Sequence, residues 1–567
     1  MFSMKKIFKS SSLLIGLFVS SFTVSEAANP ENLYGRGAIG KNGIVAAANP
    51  EASRIGVEIM KKGGNAVDAA VATAFAISVF EPNASGIGGG GFMLIRMAKT
   101  GKTVVIDYRE TAPAKATPDM FVLDENGKVL NNEIVEGGKA SGVPGTVAGL
   151  LTALEKYGTM KREDVMAPAI KYAEEGIDVS KNLEGIIQDN YEKLVKFDAA
   201  GEVYLKDGLP YEAGDKLINK DLATTLKKIA KEGKKGFYKG EIPQKIAAEI
   251  QKQGGLMTVE DIENYKVEER EPVEGTYRGY KIISCPPASS GGTHIVQVLN
   301  MMENYDVKAL GDNTPESWHV WAESFKQVFA DRAEYMGDTA YVNVPLKGLI
   351  SKGYAKDLVE NINLEKASKD IEAGDPSKYE SGSTTHFSVM DKEGNMVAVT
   401  QTINYFFGSG VMVPGTGIMM NNEMDDFVPQ KNMKNSIEGG KRPLSSMSPT
   451  LVLDPQNRPF MTLGSPGATR IIPAVALTIS NVIDHGMSIQ EAISAPRIAQ
   501  FQSGALNAEG RMSHEAYNKL KEMGHNVELK GSYDLYFGGV QGVMMDYNTK
   551  TLYGGADPRR DGQAIGF

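Results

Sequence analysis

One cysteine among 567 residues, Cys285, excludes an intrachain disulfide and any cysteine-ligated zinc or iron–sulfur centre. Histidine is scarce as well: six are scattered along the chain, with no HExxH and no paired metal spacing. No GxSxG is present, which argues against a serine hydrolase of the α/β-hydrolase type. Basic residues are not in excess. With 61 Lys and Arg against 70 Asp and Glu, the net charge is −9, so nucleic acid is excluded as the main partner, because a phosphate-tracking surface needs clustered cations. Beyond the first 28 residues no stretch approaches the ~20 apolar residues that cross a bilayer. Internal repeats and low-complexity tracts are also missing. What remains is an ordinary globular composition, 42% hydrophobic and 23% charged, of a length that suits one large α/β body or several domains.

The N-terminus has the form of an export signal. Lys5, Lys6 and Lys9 form a basic region, Leu13 to Val19 an apolar one, and Ser25-Glu26-Ala27 supplies small residues for cleavage. The expected mature chain begins at Ala28, in a periplasmic or secreted location.

Further along, Asn49-Pro50-Glu51 starts a helix that Gly63-Gly64 ends. Ala66 to Phe80 is apolar on every side, as a buried helix is. Residues 92–95 and 104–108 read as a strand hairpin, 145–265 as mostly helical with a capping box at Thr258, and 277–284 as one strand. Thr314-Pro315 opens a long helix carrying Trp318, Trp321, Phe325, Val328 and Phe329, in which His319 reads as a packed residue. Residues 372–383 are polar, aperiodic and rich in turn formers, an exposed and cleavable loop. The chain then becomes strand-rich: 384–390, 396–402, 448–453, 460–463, 526–530 and 539–546, with helices near 471–484 and 514–523. The last of these strands is expected to complete the pattern.

Gly86-x-Gly88-x-x-Gly91 matches the dinucleotide fingerprint only in letters. A helix precedes it and a strand follows, the reverse of what pyrophosphate binding needs, so these glycines are expected to permit close backbone approach. Ser383-Thr384-Thr385 directly after the polar loop carries more chemistry. Cleavage before Thr384 gives a residue with a hydroxyl nucleophile and its own α-amine as base, whose pKa of about 7.7–8.0 leaves a useful neutral fraction near pH 7. Pairing across the following turn places Thr384 opposite Thr402 with a five-residue loop, or opposite Gln401 with a four-residue loop. In either register 402–404, including Asn404, lies beside the cleavage point. Gly464-Ser465-Pro466-Gly467-Ala468 sits between strand and helix, where free N–H groups can stabilise an oxyanion, although Pro473 suggests a later helix start. Taken singly, Arg109 reads as a surface ion-pair residue, Asp425-Asp426 as a solvated turn or cap, Ser445-Ser446 as a buried turn and Cys285 as a packed free thiol.

Jointly these segments resemble the bacterial γ-glutamyltransferases (glutathione hydrolases) of the N-terminal-nucleophile superfamily. The blocks are GGNAVDAAVA at 63–72, GIGGGGFMLIR at 86–96, DYRETAPAKAT at 107–117, SGVPGTVAG at 141–149, TTHFSV at 384–389, NNEMDDF at 421–427, KRPLSSMSPT at 441–450 and DPR at 557–559. The resemblance implies an α+β, four-layer αββα sandwich built as a heterodimer from one precursor: signal peptide 1–27, large subunit 28–383, small subunit 384–567. It implies self-cleavage between Ser383 and Thr384, and a γ-glutamyl-Thr384 ester resolved by water or by an amino-acid or peptide amine. It implies no metal and no cofactor. Arg109 with Ser445 and Ser446 would hold the donor α-carboxylate, and Asn404, Glu423 and Asp426 its ammonium. Thr402 would orient the nucleophile, and the N–H groups of Gly467 and Ala468 would form the oxyanion hole. The implied partners are glutathione, other γ-glutamyl compounds, glutamate and amine acceptors.

Two departures bear on specificity. Ala468 stands where many relatives have glycine, which restricts φ. The stretch between Phe427 and Lys441 is short where several relatives carry a lid loop, so a more open site and a poly-γ-glutamate donor become conceivable. Rival expectations are a capsule poly-γ-glutamate transpeptidase/depolymerase, a cephalosporin acylase of the same fold, and a non-catalytic envelope binding protein.

Overall fold

The computed structural model describes residues 35–369, 371 and 384–567; the proposed leader 1–27, the loop 372–383 and Ser383 lie outside the described residues. Two seven-stranded antiparallel sheets form the centre. One runs Gln563–Gly566, Gly43–Ala47, Thr385–Asp391, Met396–Thr402, Gly90–Arg96, Thr103–Asp107, Glu268–Arg270. The other runs Ala38–Gly40, Thr551–Ala556, Gln541–Asp546, Pro459–Gly464, Thr450–Leu453, Tyr280–Ser284, Val273–Tyr277.

Side-chain alternation stacks these sheets into layers. Phe387 and Val389 of the strand Thr385–Asp391 join the apolar core beneath helices Pro50–Lys61, Ala66–Phe80 and Thr146–Tyr157. Met390 faces the opposite way, into the core shared with the second sheet and helices Gly291–Met302, Pro315–Tyr335 and Ile471–Ile483. The result is the αββα sandwich, helices covering both outer faces. All fifteen side chains of Ala66–Phe80 are buried, as their composition demands, and Asn65 and Asp68 cap the helix reciprocally.

Three sequence expectations need correction. Residues 277–284 form not one strand but the end of a hairpin, because Arg278 and Gly279 take φ of 50° and 86° and make a tight turn, pairing Tyr277 with Tyr280. The strand pattern continues past 546: Thr551–Ala556 and Gln563–Gly566 join the two main sheets, while Val527–Lys530 belongs to a small three-stranded sheet. Pro473 does not delay its helix, which begins at Ile471 and holds the proline in its first turn, where no N–H is missed.

Close approach explains the glycine run. A Cβ on Gly88 would lie 2.1 Å from the Met419 carbonyl oxygen, and one on Gly89 2.0 Å from that of Thr402. Between the sheets, His386 bonds Thr400 Oγ1 at 2.8 Å and Ser388 Oγ at 3.1 Å, and burial holds its pKa down to about 3. Gly464 of the facing sheet leaves room for that ring, since a Cβ there would lie 2.3 Å from His386 Cε1. Gly464→Ala should therefore force the sheets apart and lower stability by about 1–3 kcal/mol in denaturant unfolding; an unchanged midpoint would contradict this packing.

Candidate active site

The register places Thr384 first. Thr385 pairs with Gln401 and Met390 with Met396, so the five-residue loop is the one used, and Thr384 lies opposite Thr402. Thr384 Oγ1 is 3.3 Å from Thr402 Oγ1, which accepts the Asn404 N–H at 2.8 Å. Behind them, Thr385 Oγ1 donates to Glu81 Oε2 at 2.6 Å. Thr384 is buried except for a small face that opens on a cavity of about 310 Å³.

Arg109 lies in the same cavity wall, just past the strand Thr103–Asp107. Its backbone is fixed on both sides: its N–H donates to Asp107 Oδ1 at 2.9 Å, and Tyr265 OH donates to its carbonyl at 2.8 Å. Asp107 is itself held by Arg270 at 2.6 Å and Arg442 at 3.3 Å. The Arg109 guanidinium is 1% exposed, which a lone cation could not tolerate. Nη1 meets Glu423 Oε2 at 2.5 Å, Nη2 pairs with Asp426, and Nε donates to the Pro443 carbonyl at 3.3 Å. Arg109 is thus no surface ion-pair residue. Glu423 to Asp426 form a single 3-10 turn that presents both acids to it.

Acidic charge is crowded here. Burial pushes the Glu110 carboxyl up to about 8, against the pull of Arg109, with Asp426 adding to the rise. Burial raises Glu423 as well, again opposed by Arg109 and reinforced by Glu110 and Asp426. Arg109 reaches both carboxyls, Glu423 Oε2 at 2.5 Å and Glu110 Oε2 at 3.6 Å. A buried cation in contact with several acids can read a molecule carrying an anion and a cation on one carbon.

The remaining expected residues are brought to the same place. Ser445 Oγ accepts the Met447 N–H at 3.1 Å, and Ser446 Oγ accepts from Arg332 Nη2 at 3.1 Å. Asn404, at φ 71°, donates through Nδ2 to the Asn422 carbonyl at 3.1 Å. Gly467 has φ 124°, and Ala468, lining the cavity, has φ 52°, a left-handed conformation that costs an alanine about 1–2 kcal/mol. The short segment after Phe427 forms a side wall. Asn435 pins it, donating to the Asp426 carbonyl at 2.6 Å and accepting the Leu444 N–H at 3.0 Å.

Two wall residues escaped sequence reasoning. Arg332, from the long helix Pro315–Tyr335, and Tyr405, which donates to Asp425 at 2.5 Å, come from segments whose composition reads as core or loop. Only tertiary structure brings them in. Among the described residues, His319, Glu323 and His525 have donor atoms within 4.8 Å of one another. These atoms are already engaged: His319 bonds His525 and the Asn363 carbonyl, each at 2.7 Å, and Glu323 pairs with Lys326 at 2.7 Å. His319 is the packed residue expected, and Cys285 is a buried free thiol whose pKa burial raises.

A family model for gamma-glutamyltranspeptidase matches residues 52–567. The chain is 43% identical over 546 residues to a glutathione hydrolase proenzyme of Bacillus subtilis (strain 168), spanning 93% of this chain and 92% of that protein. It is 44% identical over 533 residues to the glutathione hydrolase proenzyme of Escherichia coli (strain K12), spanning 92% and 90%. In three dimensions it resembles the cephalosporin acylase from Bacillus halodurans, with a TM-score of 0.85 at 29% identity over 94% of this chain and 97% of that one.

The raised Glu110 carboxyl has a signed consequence. The native state keeps its proton up to about pH 8, whereas the unfolded chain releases it near 4.5. Between those values the native state binds more protons, so stability falls as pH rises, by at most about 1.4 kcal/mol per pH unit from this group. Glu110→Gln should flatten that slope in urea melts from pH 5 to 8; a wild-type slope retained by the variant would place the proton elsewhere.

Proposed function

The chain belongs to the gamma-glutamyltranspeptidase family, and from that premise we propose that Thr384, freed as an N-terminus by cleavage after Ser383, is its nucleophile. The protein is an enzyme, a self-processing γ-glutamyltransferase and glutathione hydrolase that cleaves γ-glutamyl amide bonds. The observation that carries the nucleophile assignment is the 3.3 Å approach of Thr384 Oγ1 to Thr402 Oγ1 in the wall that also holds Arg109, Glu423 and Asp426.

In this reading the free α-amine of Thr384 takes the hydroxyl proton as Oγ1 attacks the γ-carbonyl carbon. Negative charge moves to the carbonyl oxygen, facing the N–H groups of Gly467 and Ala468. Collapse of the tetrahedral intermediate breaks the C–N bond, and the departing amine takes the proton back. Water, or the amine of an amino acid or peptide, then resolves the γ-glutamyl ester by the reverse sequence. Thr402, fixed by the Asn404 N–H, orients Oγ1.

The donor head is zwitterionic, and the site's own residues compensate one another's charge. Its α-carboxylate replaces acid oxygens at the Arg109 fork, assisted by Ser445 and Ser446. Its ammonium takes the place of Arg109 against Glu423 and Asp426, with Asn404 alongside. Exchanging one ion pair for two keeps every buried charge matched, which makes the crowding of acids here intelligible. Glutathione, glutamate and amine acceptors fit as partners, and the two chains, 28–383 and 384–567, form the heterodimer. We further propose that residues 1–27 export the precursor to the periplasm or the medium. Among the described residues no helix is long and apolar enough to cross a membrane.

The likeness to a cephalosporin acylase supports a second reading, a glutaryl-type acyl donor. Glutaryl lacks the ammonium, which would leave Glu423 and Asp426 without the charge they await. A γ-glutamyl anilide should therefore outperform a glutaryl anilide by at least about tenfold in kcat/KM.

Intact mass with N-terminal sequencing tests the nucleophile. Two chains meeting at Ser383/Thr384 are expected, and Thr384→Ala should stay a single chain without anilide turnover; a stable uncleaved wild type would return the protein to a binding role. Glu423→Gln should weaken inhibition by L-glutamate by at least about tenfold, because the ammonium then loses a buried acid that faces it; unchanged inhibition would place the ammonium elsewhere.

A further inference from the structure

The DPR block at 557–559 takes no part in the chemistry above, yet it is buried at 0–5% exposure for Asp557 and Arg559. Its surroundings lead back to the oxyanion turn. Phe537 to Val540 form a turn whose two ends are both gripped. Arg497 Nη1 donates to the Phe537 carbonyl at 2.9 Å, and Asp557 Oδ2 accepts the Val540 N–H at 2.7 Å. The two gripping groups are themselves paired, Arg497 Nη2 to Asp557 Oδ2 at 2.8 Å. Arg559 closes the other side of the carboxylate at 3.0 Å.

This gripped turn lies backbone to backbone against Ser465–Ala468. Gly539 donates its N–H to Ser465 Oγ at 3.1 Å. Gly538, at φ 84°, comes so near that a Cβ would sit 2.5 Å from both the Pro466 carbonyl and Ser465 Oγ. A Cβ on Gly467 would in turn be 3.2 Å from Gly538 Cα. The Ser465 hydroxyl is the side-chain group in this contact, and it bonds both the Gly539 N–H and the Pro466 carbonyl, so a shift of 537–540 passes to the peptide units of Gly467 and Ala468. Burial works against the Asp557 carboxylate, but Arg497 and Arg559 outweigh it and keep it ionised, a fixed acceptor for the Val540 N–H.

We propose that Asp557 is a positioning residue for the oxyanion turn: with Arg497 it clamps the 537–540 turn, and that turn sets where the Gly467 and Ala468 N–H groups point. This rests on those two groups being the oxyanion donors. Asp557 touches no substrate. Its effect should fall on the transition state and spare ground-state binding at the Arg109 end, because displacing a donor by about 1 Å costs up to about a hundredfold in rate.

The experiment uses matured two-chain enzyme, normalised by titration of Thr384, and compares wild type, Asp557→Asn and Gly538→Ala. Three readouts are taken: kcat on a γ-glutamyl anilide, inhibition by L-glutamate, and inhibition by the γ-boronic analogue of glutamate. In the boronate adduct Thr384 Oγ1 bonds to boron, its proton passes to the α-amine, and a boron oxygen lies where the oxyanion forms. Asp557→Asn should lose about tenfold to a hundredfold in kcat and in boronate affinity together, with glutamate inhibition within twofold of wild type. Gly538→Ala, which moves the turn without touching the carboxylate, should show the same split and decides the matter if Asp557→Asn does not mature. Tight boronate binding left intact in the variants, or glutamate weakened in step with kcat, overturns the clamp. Wild-type enzyme that binds the boronate no better than glutamate overturns the oxyanion assignment itself.

Discussion

The arrangement depends on one strand register. Thr385–Asp391 and Met396–Thr402 are adjacent in sequence, and a five-residue loop puts Thr384 across from Thr402. A slip of one residue would turn Phe387 and Val389 out of the helix-covered core and His386 into it, reversing every face. Such a slip costs several buried apolar side chains at once, so the core enforces the register far more strongly than the loop does. The 3.3 Å between the Thr384 and Thr402 hydroxyls is therefore a by-product of core packing. This is how the proposed nucleophile, just before the first residue of a strand, is held in place.

A second constraint is electrostatic. Arg109, Glu110 and Glu423 are each at most 1% exposed, a concentration of charge that costs a great deal unless it is matched. The chain meets the cost by folding the Glu423–Asp426 turn onto the guanidinium and by letting burial keep protons on the acids. Gly90 belongs to the same solution, because a Cβ there would lie 2.5 Å from Glu110 Oε2. The site is neutralised before substrate arrives, and only a ligand with both charges can take over its ion pairs without leaving one exposed to low dielectric. The proposed preference for a zwitterionic head rests on this burial.

How much of this was readable beforehand differs by element. Ala66–Phe80 was legible to the residue, because all-round apolarity needs no tertiary partner to be read. The two strands after residue 383 were legible because alternation is local, but turn length left Thr402 and Gln401 both open as the residue opposite Thr384, and the buried pairing of Met390 with Met396 decides between them. The burial of Arg109 was not legible, since nothing around 107–110 reveals a buried cation with acids more than 300 residues away. Gly43–Ala47 and the two C-terminal strands were missed for a related reason. They are short segments whose strand character comes from neighbours distant in sequence, Ala46 pairing with Ser388 and Ala564. Arg332 reached the cavity wall from a helix that reads as core, and its polar end shows its use only once Ser446 is placed beside it.

Those long-range pairings also explain how a precursor can be cut in its middle without coming apart. In the first sheet the order runs from the C-terminal strand to Gly43–Ala47, then to the two strands after Thr384, then back to Gly90–Arg96. Three of its six ladders join a strand from before the cleavage point to one from after it: Gln563–Gly566 on Gly43–Ala47, Gly43–Ala47 on Thr385–Asp391, and Met396–Thr402 on Gly90–Arg96. The second sheet repeats the device, with Ala38–Gly40 at one edge on Thr551–Ala556 and Tyr280–Ser284 on Thr450–Leu453. Breaking the bond before Thr384 removes no ladder hydrogen bond, because Thr384 precedes the first paired residue. The proposed cut would therefore release the Thr384 amine and leave both cores as they are. A disulfide would add nothing to such an interleaved pair, and the chain has no second cysteine with which to form one.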